Sequence, residues 1–300
     1  MNIIKSSVSI LEQGPGVSGL YEFIEKVGRV SYKSEDRITQ GSAEKFVEML
    51  YKNGHWAVFN LGTVYIKAVK SEGGEWLYNK FVRGAKIYRL WFECVKTRDA
   101  YNITTDYRAI CQLGLRSDLP SLLYDPRPTD KFYRRVTSRW ICSLGISQEV
   151  LRHAALRPVM ESSRYCNYSK NKFSGELTFI MPDWIEKLGG DIESLRRTDP
   201  RVQSRCNFYE EAERQYLGEI KAGLKPEEAR GVLPKDTKTE FYLTGYILDW
   251  YGRRKTGDEN SPEKFGFFNL RTANDTHPDL RGLARDLEQQ FKDKNYDVYM

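Results

Sequence analysis

Apolar positions along this chain alternate between helical and strand spacing, segment by segment. Phe46, Met49 and Leu50 recur at helical spacing, so the pattern predicts a helix over Ser42–Asn53, with Ser42 as N-cap and Gly54 as its stop. Gly62–Val69 (GTVYIKAV) is β-branched and alternating, and reads as a strand. Ser147–Arg157 reads as a buried helix stopped by Pro158, and Glu176–Ile180 as a short strand ended by Pro182. Arg205–Ala222 is predicted to be a long amphipathic helix ending at Gly223. Pro226 opens a short helix that runs through Val232, with Pro234 beyond it. Leu280, Leu283, Ala284, Leu287 and Phe291 mark a last amphipathic helix with Pro278 near its start. Loops are expected at Asp118–Asp130 and Lys255–Lys264. With no internal repeat or low-complexity tract, the mixture predicts an α+β fold in one compact domain, residues 1–300.

Composition narrows the class. Of the 300 residues, 40% are hydrophobic and 13% aromatic, enough to build a core. The apolar runs, such as Trp140–Leu144, fall far short of the roughly 18 residues that a membrane helix needs. Met1–Glu12 lacks a basic stretch followed by an apolar one, so no secretory signal is expected. The five cysteines are widely spaced with no C-x-x-C pair, which fits a reducing cytoplasm better than a disulfide framework or zinc ribbon. Only three histidines occur, too few for a His-rich metal site, and no metal is expected. Forty-seven basic against 41 acidic residues leave a net charge of +6, scattered rather than in blocks, which suggests phosphate-bearing ligands. No basic stripe or RNP-like motif accompanies it, so nucleic acid is not the expected partner.

Gly14-Pro15-Gly16-Val17-Ser18-Gly19 matches G-x-G-x-x-G, but a dinucleotide site needs a long buried strand feeding that turn inside a βαβ unit. The strand before it is short, Pro15 stiffens the loop and no clear second strand follows, so an ordinary turn is expected. Ile146–Ser169 carries more. On the predicted helix, Glu149, Arg152 and His153 share a polar face of an otherwise apolar element. Burying such groups is costly unless they pair or bind a ligand, so a salt-bridged helix and a ligand site are both open. Glu161-Ser162-Ser163-Arg164-Tyr165 follows, a loop able to hold a phosphate through amides, hydroxyls and a guanidinium, or to be a plain Ser-rich turn. Arg230 and Arg271 also stand in apolar settings and could converge with Arg152 and Arg164 on an anion, or simply snorkel to the surface. Ser162 is not in a G-x-S-x-G elbow, which argues against a hydrolase triad.

These residues resemble the flavin-dependent thymidylate synthases, the ThyX family. That family's signature of R-H-R, seven residues, S, then often R-Y, reads here as Arg152-His153-Ala154, Ser162 and Arg164-Tyr165. Cys166–Pro182, Ala229–Pro234, Lys238–Phe241, Phe268–Arg271 and His277–Asp279 look like further family segments, with weaker echoes at Gly28–Tyr32, Gly62–Tyr65 and Ile103–Arg108. The resemblance implies a single ThyX-like α+β domain with a central mixed sheet flanked by helices, assembled as a homotetramer with active sites at subunit interfaces. It implies bound FAD, dUMP as substrate, and methylenetetrahydrofolate and NADPH as co-substrates. By the same resemblance, Arg271 is the catalytic residue, favouring ionisation of the uracil at N3, a role that suits an always-charged guanidinium. Glu149, Arg152, Glu161, Ser162, Ser163, Arg164 and Arg230 are implied to bind the nucleotide, with Arg230 coming from a neighbouring subunit. Thr63, Arg152 and His153 are implied to touch FAD.

The chain departs from the family pattern at several positions. Ala154 replaces the second Arg of R-H-R, Asn60-Leu61 stands where Glu-His is usual, Met160 replaces an acidic or amide residue, and Arg157 replaces a common Ser. Arg157, one predicted helical turn after Ala154, could restore the missing charge. Gly252–Lys264 lengthens a segment that the family keeps short. The changes cluster on the flavin and folate side and leave the dUMP-binding residues intact. Two alternatives therefore stand beside thymidylate synthesis: a different C5 modification such as hydroxymethylation, and a nucleotide-binding homologue without catalysis.

Overall fold

The computed structural model describes residues 1–170, 173–252 and 266–296. Nine strands occur among them: β1 (Asn2–Ile4), β2 (Ser7–Leu11), β3 (Thr63–Val69), β4 (Phe92–Lys96), β5 (Ala100–Asp106), β6 (Arg135–Ser143), β7 (Arg157–Met160), β8 (Thr178–Ile180) and β9 (Lys238–Tyr246). They form three sheets, ordered β2-β6-β9-β7, β3-β5-β4 and β1-β8. With helices packed on them, the fold is α+β, as the sequence predicts.

The central sheet is built on the β6–β9 ladder, which pairs residue by residue from Arg135↔Tyr246 to Ser143↔Lys238. It is antiparallel throughout, not mixed; the parallel pairing is confined to the small β1–β8 sheet. Both faces of β9 are buried, so polar side chains inside it bond to one another, as Thr244 does with Thr137 across the ladder at 2.7 Å. Trp140, Phe241, Phe267, Phe268 and Leu280 pack one face into a core with the helices Phe267–Arg271 and Pro278–Asp293. Gln290 of the last helix bonds the Ile10 amide and the Val8 carbonyl, satisfying the outer edge of β2. A second core joins the β3-β5-β4 sheet to the helices Gly16–Arg29, Ser42–Lys52 and Gly74–Tyr88.

Several predicted elements hold: the helix from Ser42, the strand to Val69, the Pro226 helix and the C-terminal amphipathic helix. The helix predicted from Arg205 begins earlier, at Pro200, and the strand predicted from Glu176 is only Thr178–Ile180. Gly41 is the N-cap where Ser42 was expected, because the Ser42 hydroxyl donates instead to the buried Glu25 carboxylate. The inward face of that helix is Ala43, Val47 and Leu50, and Met49 is exposed. Within the Asp118–Asp130 loop lies a helical turn, Leu119–Leu122. The Lys255–Lys264 loop lies outside the described residues.

The largest correction concerns Ser147–Arg157. The helix there is short, Leu144–Val150, capped by Ser143, whose hydroxyl accepts from the Ile146 amide. The chain then turns, and Arg157 and Pro158 open β7 on the edge of the central sheet. Proline is tolerated there because an edge strand leaves one row of amides unpaired. Glu149, Arg152 and His153 therefore do not share a helical face.

The Gly14–Gly19 segment is not the separate turn expected: Gly14 and the N-cap Pro15 lead straight into the helix Gly16–Arg29. Strand β2 before it pairs antiparallel with β6, so there is no βαβ unit. A Cβ on Gly19 would lie 2.2 Å from the Gly14 carbonyl carbon, so glycine serves backbone packing at the helix entry. The Gly16 amide is bonded to the Asp125 carboxylate, a like charge where a phosphate would sit.

Candidate functional site

Around the end of the Leu144–Val150 helix, the chain gathers four of the expected residues. Arg271, the last residue of the helix Phe267–Arg271, donates from Nη2 to the Glu149 carbonyl at 2.9 Å. Among the described residues, its buried Nε has no hydrogen-bond partner. His153 is half-buried, its ring edge-on to Phe267 at 5.7 Å. Burial lowers its pKa, the Arg271 charge adds to that, and a hydrogen bond with the Asp249 backbone opposes it, so the imidazole favours its neutral form. Arg152 is exposed and lines a pocket of about 450 Å³ with Glu149, Lys235, Asp236 and His277. Arg271 and His153 are not part of that pocket's lining; Arg271 adjoins it through its bond to Glu149.

A second group forms around residues 162–164. The Ser162 amide donates to the Ser31 carbonyl at 3.1 Å, which fixes the loop against the turn that follows the first helix. Arg230 donates from Nη1 to Ser163 Oγ at 3.4 Å, and Arg164 from Nη2 to Glu227 at 3.3 Å. Ser163 and Arg230 meet within one chain. The Arg164–Glu227 pair is exposed, hence weak, and an incoming anion can take Glu227's place.

Glu161, expected to bind the nucleotide, is instead buried and fully engaged. It accepts from Tyr168 Oη at 3.1 Å and from Lys238 Nζ at 2.9 Å. Lys238 and Lys33 also meet the buried Glu240, which Arg139 Nε bonds at 2.7 Å. Burial alone would raise the Glu240 pKa; bonds from Arg139 and Lys33 outweigh it and hold the carboxyl down at about 2.

Thr63 lies elsewhere, at the start of β3. Its amide and carbonyl both bond the Gln13 side chain at 2.8 Å, and its hydroxyl lies 3.4 Å from Arg135 Nη1. It lines a cleft of about 450 Å³ with Gln13, Tyr65, Asp125, Arg134 and Tyr296. The structure thus separates Thr63 from Arg152 and His153 within one chain. Leu61, at the position of the family's histidine, is fully buried in the core. Arg157 does not replace the charge missing at Ala154, since its guanidinium stacks on Trp91 at 4.0 Å and no helix joins the two positions.

Residues 135–255 match the family Thy1, thymidylate synthase complementing protein. The matched segment begins with β6 and holds Glu149, Arg152, His153, the 161–164 loop and Arg230; Thr63 and Arg271 lie outside it. Two solved structures of the UMP/dUMP methylase PolB from Streptomyces cacaoi, one bound with 5-Br dUMP and one with 5-Br UMP, are similar to the chain at 15% and 14% identity. Each similarity spans 98% of this chain and 93% or 92% of the other, with TM-scores of 0.39 and 0.40. No curated protein matches the chain.

Sequence reasoning missed Lys33, Arg139 and Arg135. Arg135 is buried, donates to the Asn60 and Thr105 carbonyls, and lies at the wall of the Thr63 cleft. Nothing in the sequence distinguishes it from its neighbour Arg134. Among the described residues, no group of three or more His, Cys, Asp or Glu could hold a metal ion, and no helix is long and apolar enough to cross a membrane.

Proposed function

We propose that the protein modifies C5 of a pyrimidine nucleotide, as a thymidylate synthase-like enzyme that reductively methylates dUMP to dTMP. The observation that carries this reading is the Thy1 match over 135–255, a segment that holds Glu149, whose carbonyl Arg271 bonds, and His153, on which the Arg271 charge acts. On this reading, the permanent cation of Arg271 faces the uracil and stabilises negative charge developing at N3. Ser162, Ser163, Arg164 and Arg230 hold the phosphate, Arg164 exchanging Glu227 for it. Arg152 supplies charge at the mouth of the pocket beside Glu149.

FAD, NADPH and methylenetetrahydrofolate belong to this proposal as cofactor, reductant and one-carbon donor. Thr63, Arg152 and His153 do not line one cavity within a chain, so these residues by themselves do not fit a flavin. A site shared between copies in a homotetramer is the arrangement that would bring them together, and it is part of the proposal. Five free thiols suit work in the cytoplasm.

The buried Leu61 favours a second reading. A leucine closed into the core cannot serve whatever role a histidine plays at that position, which fits a C5 chemistry altered towards hydroxymethylation, or none. One assay separates the readings. Purified protein is expected to be yellow with flavin absorbance, and to release tritium from 5-tritiated dUMP when given NADPH and methylenetetrahydrofolate. A colourless protein that binds dUMP but not added FAD would overturn the enzyme reading.

A further inference from the structure

We propose that Glu161 and Lys238 are positioning residues: a buried ion network presets the 162–164 loop for a phosphate-bearing ligand, and Glu161 itself does not touch that ligand. The inference rests on the reading that this loop takes the nucleotide phosphate. Its observations are independent of that reading.

The network joins four separate pieces of chain. Glu161 precedes the loop, and its amide is fixed by the Glu240 carbonyl at 2.8 Å. Lys238 and Glu240 come from β9, Arg139 from the neighbouring β6, and Lys33 from the turn whose Ser31 carbonyl holds the Ser162 amide. Lys238 spans the two carboxylates, 2.9 Å from Glu161 and 3.6 Å from Glu240. Lys33 bonds Glu240, lies 3.9 Å from Glu161, and reaches the half-exposed Glu35 at 3.4 Å. Three cations therefore face three carboxylates, with Glu161 and Glu240 almost wholly removed from water.

Two features argue for positioning rather than substrate contact. The first is occupancy: one Glu161 oxygen accepts from Tyr168 and the other from Lys238, at a side-chain exposure of 1%. A carboxylate so placed has no face to offer a nucleotide, and would repel a phosphate if it had one. The second is backbone shape. Lys33 adopts a left-handed conformation, φ 47°, rarely taken by a long side chain. That conformation delivers its ammonium to Glu240 and sets the turn against which the Ser162 amide docks. The candidate ligand groups are exposed by comparison: Arg164 bonds Glu227 at 3.3 Å and lies 5.4 Å from the Tyr165 ring centre, and Arg230 bonds Ser163 at 3.4 Å. The division is between a buried base and exposed guanidiniums, and the base decides where Ser162 and Ser163 present their hydroxyls.

Calorimetry with dUMP and with deoxyuridine tests this on the full chain, because only the former carries the phosphate. Lys238→Met and Glu161→Gln are expected to weaken dUMP binding roughly ten- to a hundred-fold while leaving deoxyuridine nearly unchanged, the size of loss typical when an orienting partner is removed. Lys238→Arg keeps the charge and is expected to restore most of the affinity. The binding stoichiometry reports the folded fraction, so a partly unfolded preparation still yields an affinity; if Lys238→Met does not fold, Glu161→Gln and Lys238→Arg decide. Wild-type preference for dUMP over deoxyuridine retained in Glu161→Gln would overturn the positioning role. Equal loss for both ligands would also overturn it, marking the network as merely structural. No preference in the wild type would instead overturn the phosphate reading of the loop.

Discussion

The guanidinium of Arg271 is tied to the carbonyl of Glu149, 122 residues away, by a 2.9 Å hydrogen bond. The bond uses Nη2 and holds the guanidinium in place; among the described residues its buried Nε has no hydrogen-bond partner. Arg271→Ala is therefore expected to lower turnover of dUMP by about a hundred-fold or more, comparable with losing one donor to a developing anion. Arg271→Lys should rescue little, since an ammonium cannot hold the carbonyl and face the uracil through one planar fork. Tritium release from 5-tritiated dUMP checks both; wild-type rate in either variant overturns the role.

The exposed Arg164–Glu227 pair gives a prediction of opposite sign. If an anion displaces Glu227 from Arg164, then Glu227→Gln removes a competitor and tightens dUMP binding about two- to five-fold, the range of a surface ion pair. Arg164→Ala should weaken it. Calorimetry at low salt measures both, and weaker binding in Glu227→Gln contradicts the assignment.

Asp106 sets an expected pH dependence. Burial lifts its carboxyl from 3.8 to about 6, against the Arg135 charge and the hydrogen bond from the Ala109 amide. Between those values the folded protein keeps a proton that the unfolded chain has lost, so stability falls as pH rises through the window and levels off above about 6. The change amounts to about 3 kcal/mol at most, taking about 1.4 kcal/mol per unit. Asp106→Asn retains the helix cap and should flatten that slope in urea titrations from pH 4 to 7. An unchanged slope assigns the dependence elsewhere.

Gly19→Ala is expected to destabilise the fold by about 2 kcal/mol or more, because the new methyl meets the Gly14 backbone. A dinucleotide-binding turn would show the loss in cofactor affinity instead. Thermal unfolding with and without NADPH separates the two; an undiminished melting temperature contradicts the packing role.

Which parts of the fold were legible follows from what each segment packs against. Pro278–Asp293 has one apolar face and one solvated face, and its pattern reads directly. Strands β6 and β9 are buried on both faces and carry Thr, Ser, Arg and Glu that bond within the sheet, so neither alternation nor hydrophobicity marks them. Arg157 reads as the last residue of a helix stopped by Pro158, yet pairing with β9 makes Arg157–Met160 a strand. The site shows the same division. Local chemistry singles out the 162–164 loop and Arg230 as candidates, and the fold brings Ser163 and Arg230 together. Glu161 looked identical in kind to its neighbours; only Lys238, 77 residues on, decides that its carboxylate turns inward. The Arg271–Glu149 bond is likewise invisible to spacing, because it depends on how the last helices dock on the central sheet.

The most direct test of the central claim is the mass of the product formed from dUMP by the purified protein supplied with FAD, NADPH and methylenetetrahydrofolate. C5 methylation predicts a product heavier than dUMP by one methylene unit that co-elutes with dTMP. Unchanged dUMP from protein that binds the nucleotide, or a product carrying an additional oxygen, would contradict thymidylate synthesis.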